Sequence, residues 1–364
     1  MTKKGGARQP MLATNIHLKG TSLVEKVVFA KHLSLMVKSG VVISEALKIL
    51  YQGAQGKFKT TIGEIYNSVK SGRSLSRSLA RYPKIFSDFF VGAVYAGESS
   101  GTLGESLENV ANELRKEKEL DDKIRGALLY PIIILVAAFA LSLFLAFYIL
   151  PKIIPLFEGL KMQLPWTTRA LIAGSHFIQK NGSWLLISII IAVIILLWLL
   201  RQNFAKPFFH KIWLSLPIVN NIIRQANLAR FTRTLGTLLE SGLNIVEALE
   251  ITAKTTTNYY YARALTAVSK GVSKGNKLSL SLEKYKDYFP DMLIRMLAIG
   301  EESGKLEETL AYLADFYELE VDNATKNLST VVEPILLIVI GLGVGFLALS
   351  IITPIYGITG SVAQ

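Results

Sequence analysis

The chain has 364 residues, a mean hydropathy of +0.37 and a net charge of +12, from 40 Lys and Arg against 28 Asp and Glu. That hydropathy is too high for an ordinary soluble protein and points to membrane segments beside polar domains. The absence of cysteine excludes disulfides, thiolate metal sites and a cysteine nucleophile.

Residues 1–23 read as a basic lead that carries Lys3, Lys4 and Arg8. No apolar run follows the basic start, so no cleaved signal peptide is expected. Residues 24–129 read as a polar, all-helical domain. Val28, Leu33, Leu35 and Met36, then Ile43, Ala46, Leu47 and Leu50, recur at three- and four-residue spacing. Gly40, Gly72 and Gly101 punctuate them, as glycines do just past helix ends. The apolar stretch FFVGAVYAG predicts a helix ending near Gly97. GESSG (97–101) then predicts a turn, with Gly101 supplying the positive φ of a reversal. Thr102 and Glu105 have capping-box spacing for the next helix.

Three charge-free stretches follow: 126–150, 181–200 and 334–364. Each is long enough to cross ~30 Å of hydrocarbon at 1.5 Å per residue. The expected order is a membrane helix at 130–150, an extracytoplasmic connector at 151–182 and a second membrane helix at 183–200. A second polar domain at 201–333, a third membrane helix at 334–354 and a tail at 355–364 complete it. Pro131 and Pro334 are expected at a first helical turn or at a kink on the membrane surface. Lysine and arginine flank the crossings mainly on the sides of the polar domains. This puts those domains and the N-terminus in the cytoplasm and the C-terminus outside it. The basic excess lies in residues 1–129, a composition suited to an anionic leaflet, an acidic protein or nucleic acid, with lipid the nearest at hand.

The two polar domains are copies. SGVVISEALKIL (39–50) aligns with SGLNIVEALEIT (241–252), carrying Ser39, Gly40 and Glu45 onto Ser241, Gly242 and Glu247. GRSLSRSL (72–79) aligns with GNKLSLSL (275–282), and AGESSGTLGESL (96–107) with IGEESGKLEETL (299–310). Gly97, Glu98 and Gly101 thereby fall on Gly300, Glu301 and Gly304, Phe86 on Phe289, and Pro131 on Pro334. Such a repeat is the strongest organisational signal in the chain. The fold class is therefore an all-α integral membrane protein with two duplicated cytoplasmic bundles of about six helices each and three transmembrane helices.

Glu98 and Glu301 admit several readings: caps of backbone amides, partners of a nearby Lys or Arg, contacts to another protein, or metal ligands. One glutamate per turn falls short of the converging oxygens that hard cations need. No HExxH, CxxC, GxSxG or GxxxxGK[ST] motif is present, so no catalytic site and no cofactor is expected. The three apolar stretches lack ionisable residues, which disfavours a channel or transport subunit. NYYYARAL (258–265) could stack on bases in a membrane-tethered DNA-binding component, but packing inside the bundle accounts for it better.

Duplicated helical units, each with a G-E-[SE]-S-G turn and a following membrane helix ending in Pro, resemble the F-component family. These are the inner-membrane platform proteins of type IV pilus and type II secretion machines. LPWTTRAL (164–171) is similar to that family's LP-x-x-T stretch. The resemblance implies a non-enzymatic platform. Its cytoplasmic bundles would dock on a hexameric assembly ATPase and pass its motion to pilin or pseudopilin subunits, alongside other inner-membrane assembly proteins. The 97–101 and 300–304 segments, with Gly97, Glu98, Gly101, Gly300, Glu301 and Gly304, stay candidate partner contacts on the reading of their residues. Lys3, Lys4 and Arg8 are candidate contacts for the motor or anionic lipid. The duplicated bundles point to a homo-oligomer, and direct nucleic-acid binding is not expected.

Overall fold

The computed structural model describes residues 22–149, 152, 166–202, 205, 207–209, 211 and 217–362. Lys3, Lys4, Arg8, residues 151 and 153–165 of the connector and the last two residues lie outside them. Among the described residues there is no strand. The first copy comprises α1 (Leu23–Lys38), α2 (Ile43–Gly53), α3 (Gly56–Lys70), α4 (Leu75–Leu79), α5 (Asp88–Ser100) and α6 (Leu103–Phe144), which passes into a π-helical turn at Leu145–Ile149. A separate helix, α7, spans Trp166–Arg201. The second copy comprises α8 (Pro217–Glu240), α9 (Ile245–Thr255), α10 (Tyr259–Val272), α11 (Leu278–Leu282), α12 (Asp291–Ser303) and α13 (Leu306–Val362).

The helix ends repeat as the sequence does. Six of the positive-φ glycines form three pairs: Gly40 with Gly242, Gly72 with Gly275, and Gly101 with Gly304. At the first pair the amides reach back in the same pattern. Gly40 N–H donates to Val37 O and Val41 N–H to Met36 O; Gly242 N–H donates to Leu239 O and Leu243 N–H to Leu238 O. This is the double back-bond of a left-handed helix end, which satisfies carbonyls that would otherwise be orphaned.

Each copy centres on three rings at matched positions. Phe29, Phe58 and Phe86 pack with centroids 5.6–6.4 Å apart. In the second copy Phe231 and Tyr261 lie 5.4 and 5.6 Å from Phe289. All six are buried. Tyr261 thus belongs to the core, and its hydroxyl donates to the Tyr288 carbonyl at 3.1 Å. Tilted and edge-on ring pairs of this kind add to the burial of their area.

The chain forms two compact units whose boundaries differ from those of the repeat. The first unit holds residues up to Lys118 together with Thr234–Thr255, and the second holds Glu119–Arg233 with the remainder from Thr256. In the first unit α9 packs on α5 at Gly92, where a Cβ would stand 2.5 Å from Ile251 Cδ1. In the second, Ile222, Ala324 and Leu328 form a small core with Ile124, Ala127 and Val332, joining α6, α8 and α13.

The structure alters three expectations. First, the helix before GESSG does not stop at Gly97. It runs to Ser100, so only Gly101, at φ 78°, makes the turn. Gly97 is needed for close approach instead: a Cβ there would lie 2.7 Å from Ser106 Cβ and 3.0 Å from Leu103 Cα. Gly300 repeats this against Thr309 Cβ at 3.0 Å and Leu306 Cα at 3.3 Å. Second, of the two places expected for Pro131 and Pro334 the first helical turn is removed, since both lie inside long continuous helices; the kink is left open. Third, among the described residues two helices are long and apolar enough to cross a membrane, α6, and α13 over Leu306–Ser350, so the expected third crossing is not shown. In α7 the apolar run among the described residues is Lys180–Ile195, shorter than the roughly 20 residues of a spanning helix.

The close approach at Gly97 and Gly300 sets a measurable asymmetry among glycines. Overpacking there costs about 1–3 kcal/mol, more than the roughly 1 kcal/mol that alanine gains over glycine in a helix. Gly97→Ala and Gly300→Ala therefore each lower the thermal midpoint of the detergent-solubilised chain. Gly126→Ala, with nothing within 4 Å of its Cβ, leaves it unchanged or raises it. Scanning fluorimetry of the three variants checks this.

Candidate functional site

The 97–101 segment is built around Glu98, which α5 carries near its C-terminus and which is half-buried. Its carboxylate reaches back to the start of α4. One oxygen accepts from Leu75 N–H at 2.5 Å; the other accepts from Ser76 N–H at 3.0 Å and from the Ser76 hydroxyl. Glu301 does the same for α11. It accepts from Leu278 N–H at 2.5 Å, Ser279 N–H at 2.9 Å and Ser279 Oγ at 2.6 Å. A negative charge at a helix N-terminus meets unpaired amides and the positive end of the helix dipole. Both oxygens of each glutamate are therefore engaged inside the bundle by hydrogen-bond donors. Donors crowded on a carboxylate leave it poorly placed to ligate a cation. Glu302, beside Glu301, is exposed and pairs with Lys277 at 3.0 Å.

The Ser-Gly-…-Glu motif serves the other end of the bundle. Ser39 and Ser241 close their helices, each hydroxyl donating to the carbonyl four residues back, Leu35 at 2.9 Å and Thr237 at 2.8 Å. Glu247 N–H donates to Asn244 Oδ1 at 3.0 Å, and Asn244 Nδ2 donates to Glu247 Oε2 at 3.3 Å, which caps α9. Val42 holds the equivalent cap position before α2 and has no side-chain acceptor, so Glu45 has no such partner at its own cap and is exposed. The capping-box spacing of Thr102 and Glu105 finds a different use: Thr102 Oγ1 lies 2.6 Å from Ser100 Oγ across the turn.

Ion pairs fasten the long helices to their neighbours. Glu108 on α6 accepts from Lys31 at 2.5 Å and from Lys38, both on α1. Those two ammonium groups hold its carboxyl well below the usual range, at about 2. Arg233 occupies in α8 the place of Lys31 in α1. It pairs with Asp315 at 2.5 Å and Glu318 at 2.7 Å on α13. The cation keeps its repeat position while the acids have moved about one and two turns along the helix. In the second unit α6 also meets α8 through Arg230–Asp121 at 2.5 Å, and α13 through Lys123–Asp322 at 3.4 Å.

These paired features match one family twice. The family model described as type II secretion system (T2SS), protein F, fits residues 29–151 and again 231–354. The chain belongs to the protein F family. The type IV pilus assembly protein PilC of Thermus thermophilus is similar, with 35% identity over 95% of this chain and 85% of that protein. PilC of Myxococcus xanthus is 31% identical over 98% of this chain and 86% of its own length. The type II secretion system protein F of Aeromonas hydrophila is 30% identical over 93% and 87%. Each match to the protein F family begins at the first ring of a triad and ends at a proline: Phe29 and Pro151, Phe231 and Pro354.

Reading the sequence missed the serines that complete the glutamate sites. Ser76 and Ser279 sit inside the aligned block GRSLSRSL and GNKLSLSL, so the repeat carried the signal. It missed Lys31 and Arg233 as well, since they lie outside the identical blocks. The two glutamate sites are predicted to be worth similar amounts. Charge-assisted hydrogen bonds contribute roughly 1.5–3 kcal/mol, so Glu98→Ala and Glu301→Ala each destabilise by about that much. Glu98→Gln retains one acceptor and loses less. A double-mutant cycle of Glu98→Ala with Ser76→Ala, read by denaturant unfolding in micelles, returns a coupling of about 0.5–3 kcal/mol.

Proposed function

We propose that this chain is a non-enzymatic platform of the inner membrane. It couples a cytoplasmic hexameric assembly ATPase to the assembly of pilin or pseudopilin subunits, in type IV pilus biogenesis or type II secretion. The carrying observation is the double family match over both copies, with relatives named for each of these two machines. The architecture supports it. Polar bundles pass without interruption into apolar helices, α6 in the first copy and α13 in the second. In this reading Glu98 and Glu301 act through the helices they cap, and partner contacts fall on the exposed residues around them. The basic lead with Lys3, Lys4 and Arg8 meets the motor or the anionic leaflet.

The platform reading includes a third crossing by α7, which places both polar domains and the N-terminus in the cytoplasm and the C-terminus outside. The chain has no cysteine of its own, so single-cysteine variants report topology directly. With three crossings, Gln163→Cys and Ser361→Cys react with an impermeant maleimide in intact spheroplasts, and Ser71→Cys reacts only after permeabilisation. Labelling of Gln163→Cys and Ser361→Cys from opposite sides would remove α7 as a crossing.

Motor coupling is tested with the full chain in detergent, used to capture the assembly ATPase of the same machine with and without nucleotide. Capture that depends on the nucleotide state is expected. A folded platform that retains no ATPase in any nucleotide state would sink the motor-coupling claim while leaving the family assignment intact.

A further inference from the structure

The aromatic cluster NYYYARAL is only partly absorbed by the core. Tyr261 is buried, but Tyr260 lines a crevice of about 390 Å³ in the second unit, together with Lys211, Asn220, Arg224, Asp287 and Tyr288. The rings of Tyr260 and Tyr288 stack with centroids 6.0 Å apart and planes 18° apart, making one wall. Tyr260 OH donates to the Pro207 carbonyl at 3.2 Å, which ties the stretch carrying Lys211 to that wall.

Arg224 also lines this crevice. Its Nε is buried, and no acceptor among the described residues takes its hydrogen. Buried donors in native proteins are nearly always paired, so an orphan beside a crevice calls for a missing acceptor. The lining that an acceptor would meet carries Lys211, Arg224 and the carboxylate of Asp287. A guanidinium fork with a neighbouring ammonium is the arrangement that best recognises phosphate oxygens. Asp287 then favours a singly charged phosphodiester over a dianion.

The position of the crevice favours one source. Lys211 follows the end of α7 at Arg201 by ten residues, and Phe208 between them is 66% exposed. On the reading that α7 crosses the bilayer, this puts an exposed aromatic and a cation in the headgroup layer, where such residues anchor. We infer that the crevice binds a phosphate ester, either the headgroup of an anionic glycerophospholipid or a free compound of the same chemistry. The lipid source rests on the membrane reading of α7; the phosphate site itself does not.

The test uses the full chain in a neutral detergent and native mass spectrometry. Dioleoylphosphatidylglycerol is titrated, dioleoylglycerol serves as the phosphate-free reference, and the phosphodiester glycerophosphoglycerol is the soluble competitor. The wild type binds one phosphatidylglycerol about tenfold or more tighter than dioleoylglycerol. Arg224→Gln and Lys211→Gln each lose about tenfold, equivalent to 1.4 kcal/mol. Lys48→Gln, a charge-matched change in the first unit, keeps the affinity. Displacement of the lipid by glycerophosphoglycerol in the wild type shows that the phosphodiester group alone is recognised. Failure to displace it assigns the site to lipid. Should Arg224→Gln not fold, Lys211→Gln, on an exposed residue, gives the reading alone. Equal affinity in the wild type and both crevice variants overturns the inference and leaves Arg224 satisfied by water. No motor protein is present, so this outcome is independent of ATPase coupling.

Discussion

A helix of five residues begins with more unpaired amides than it has hydrogen bonds of its own, and α4 and α11 are both that short. Glu98 and Glu301 remove the difficulty by bringing a carboxylate from a longer helix to those amides. The bond fixes more than the short helix. It sets where α5 stands against α4, and α12 against α11, three residues before each chain reverses at Gly101 or Gly304. The reversal then launches α6 or α13. The start of each long helix is thus referred to a single half-buried anchoring point in its own copy.

The second constraint is steric. Gly97 and Gly300 permit the outgoing helix to lie against the incoming one almost backbone to backbone. The ring triads, Phe29–Phe58–Phe86 and Phe231–Tyr261–Phe289, fill the centre at the same positions in both copies. Where the copies differ, the change is in the polar fastening. Lys31 and Arg233 share a position but bind acids at different heights on the partner helix. Asn244 caps α9, where Val42 supplies no cap to α2.

Much of this was legible in the sequence because it is local or repeated. The positive φ at Gly40, Gly72 and Gly101 follows from glycine at the end of a periodic helix, and the second copy doubles the signal. Gly97 was misread because a glycine needed for close packing looks the same in sequence as one needed for a turn. The glutamate–serine bonds span 22 residues, beyond any local pattern, although both partners lie in blocks that the repeat had marked. Arg224 and Lys211 gave no signal at all: they belong to no motif, and only the folded chain brings them to one crevice.

The continuity of α6 has a mechanical meaning. Its 42 residues extend about 63 Å at 1.5 Å per residue. The charged half is riveted by Glu108 to α1 and by Asp121 to α8, and the apolar half carries no charge. A hydrogen-bonded helix is stiff both along its axis and in torsion. Torque delivered at the riveted half therefore arrives in the apolar half as rotation, with no loop to absorb it. Compliance is concentrated where the ladder is missing a rung, at Pro131, which has no N–H to donate and sits five residues into the uncharged stretch. The helix is therefore stiff over its length except at Pro131, close to where its charged half gives way to its uncharged one.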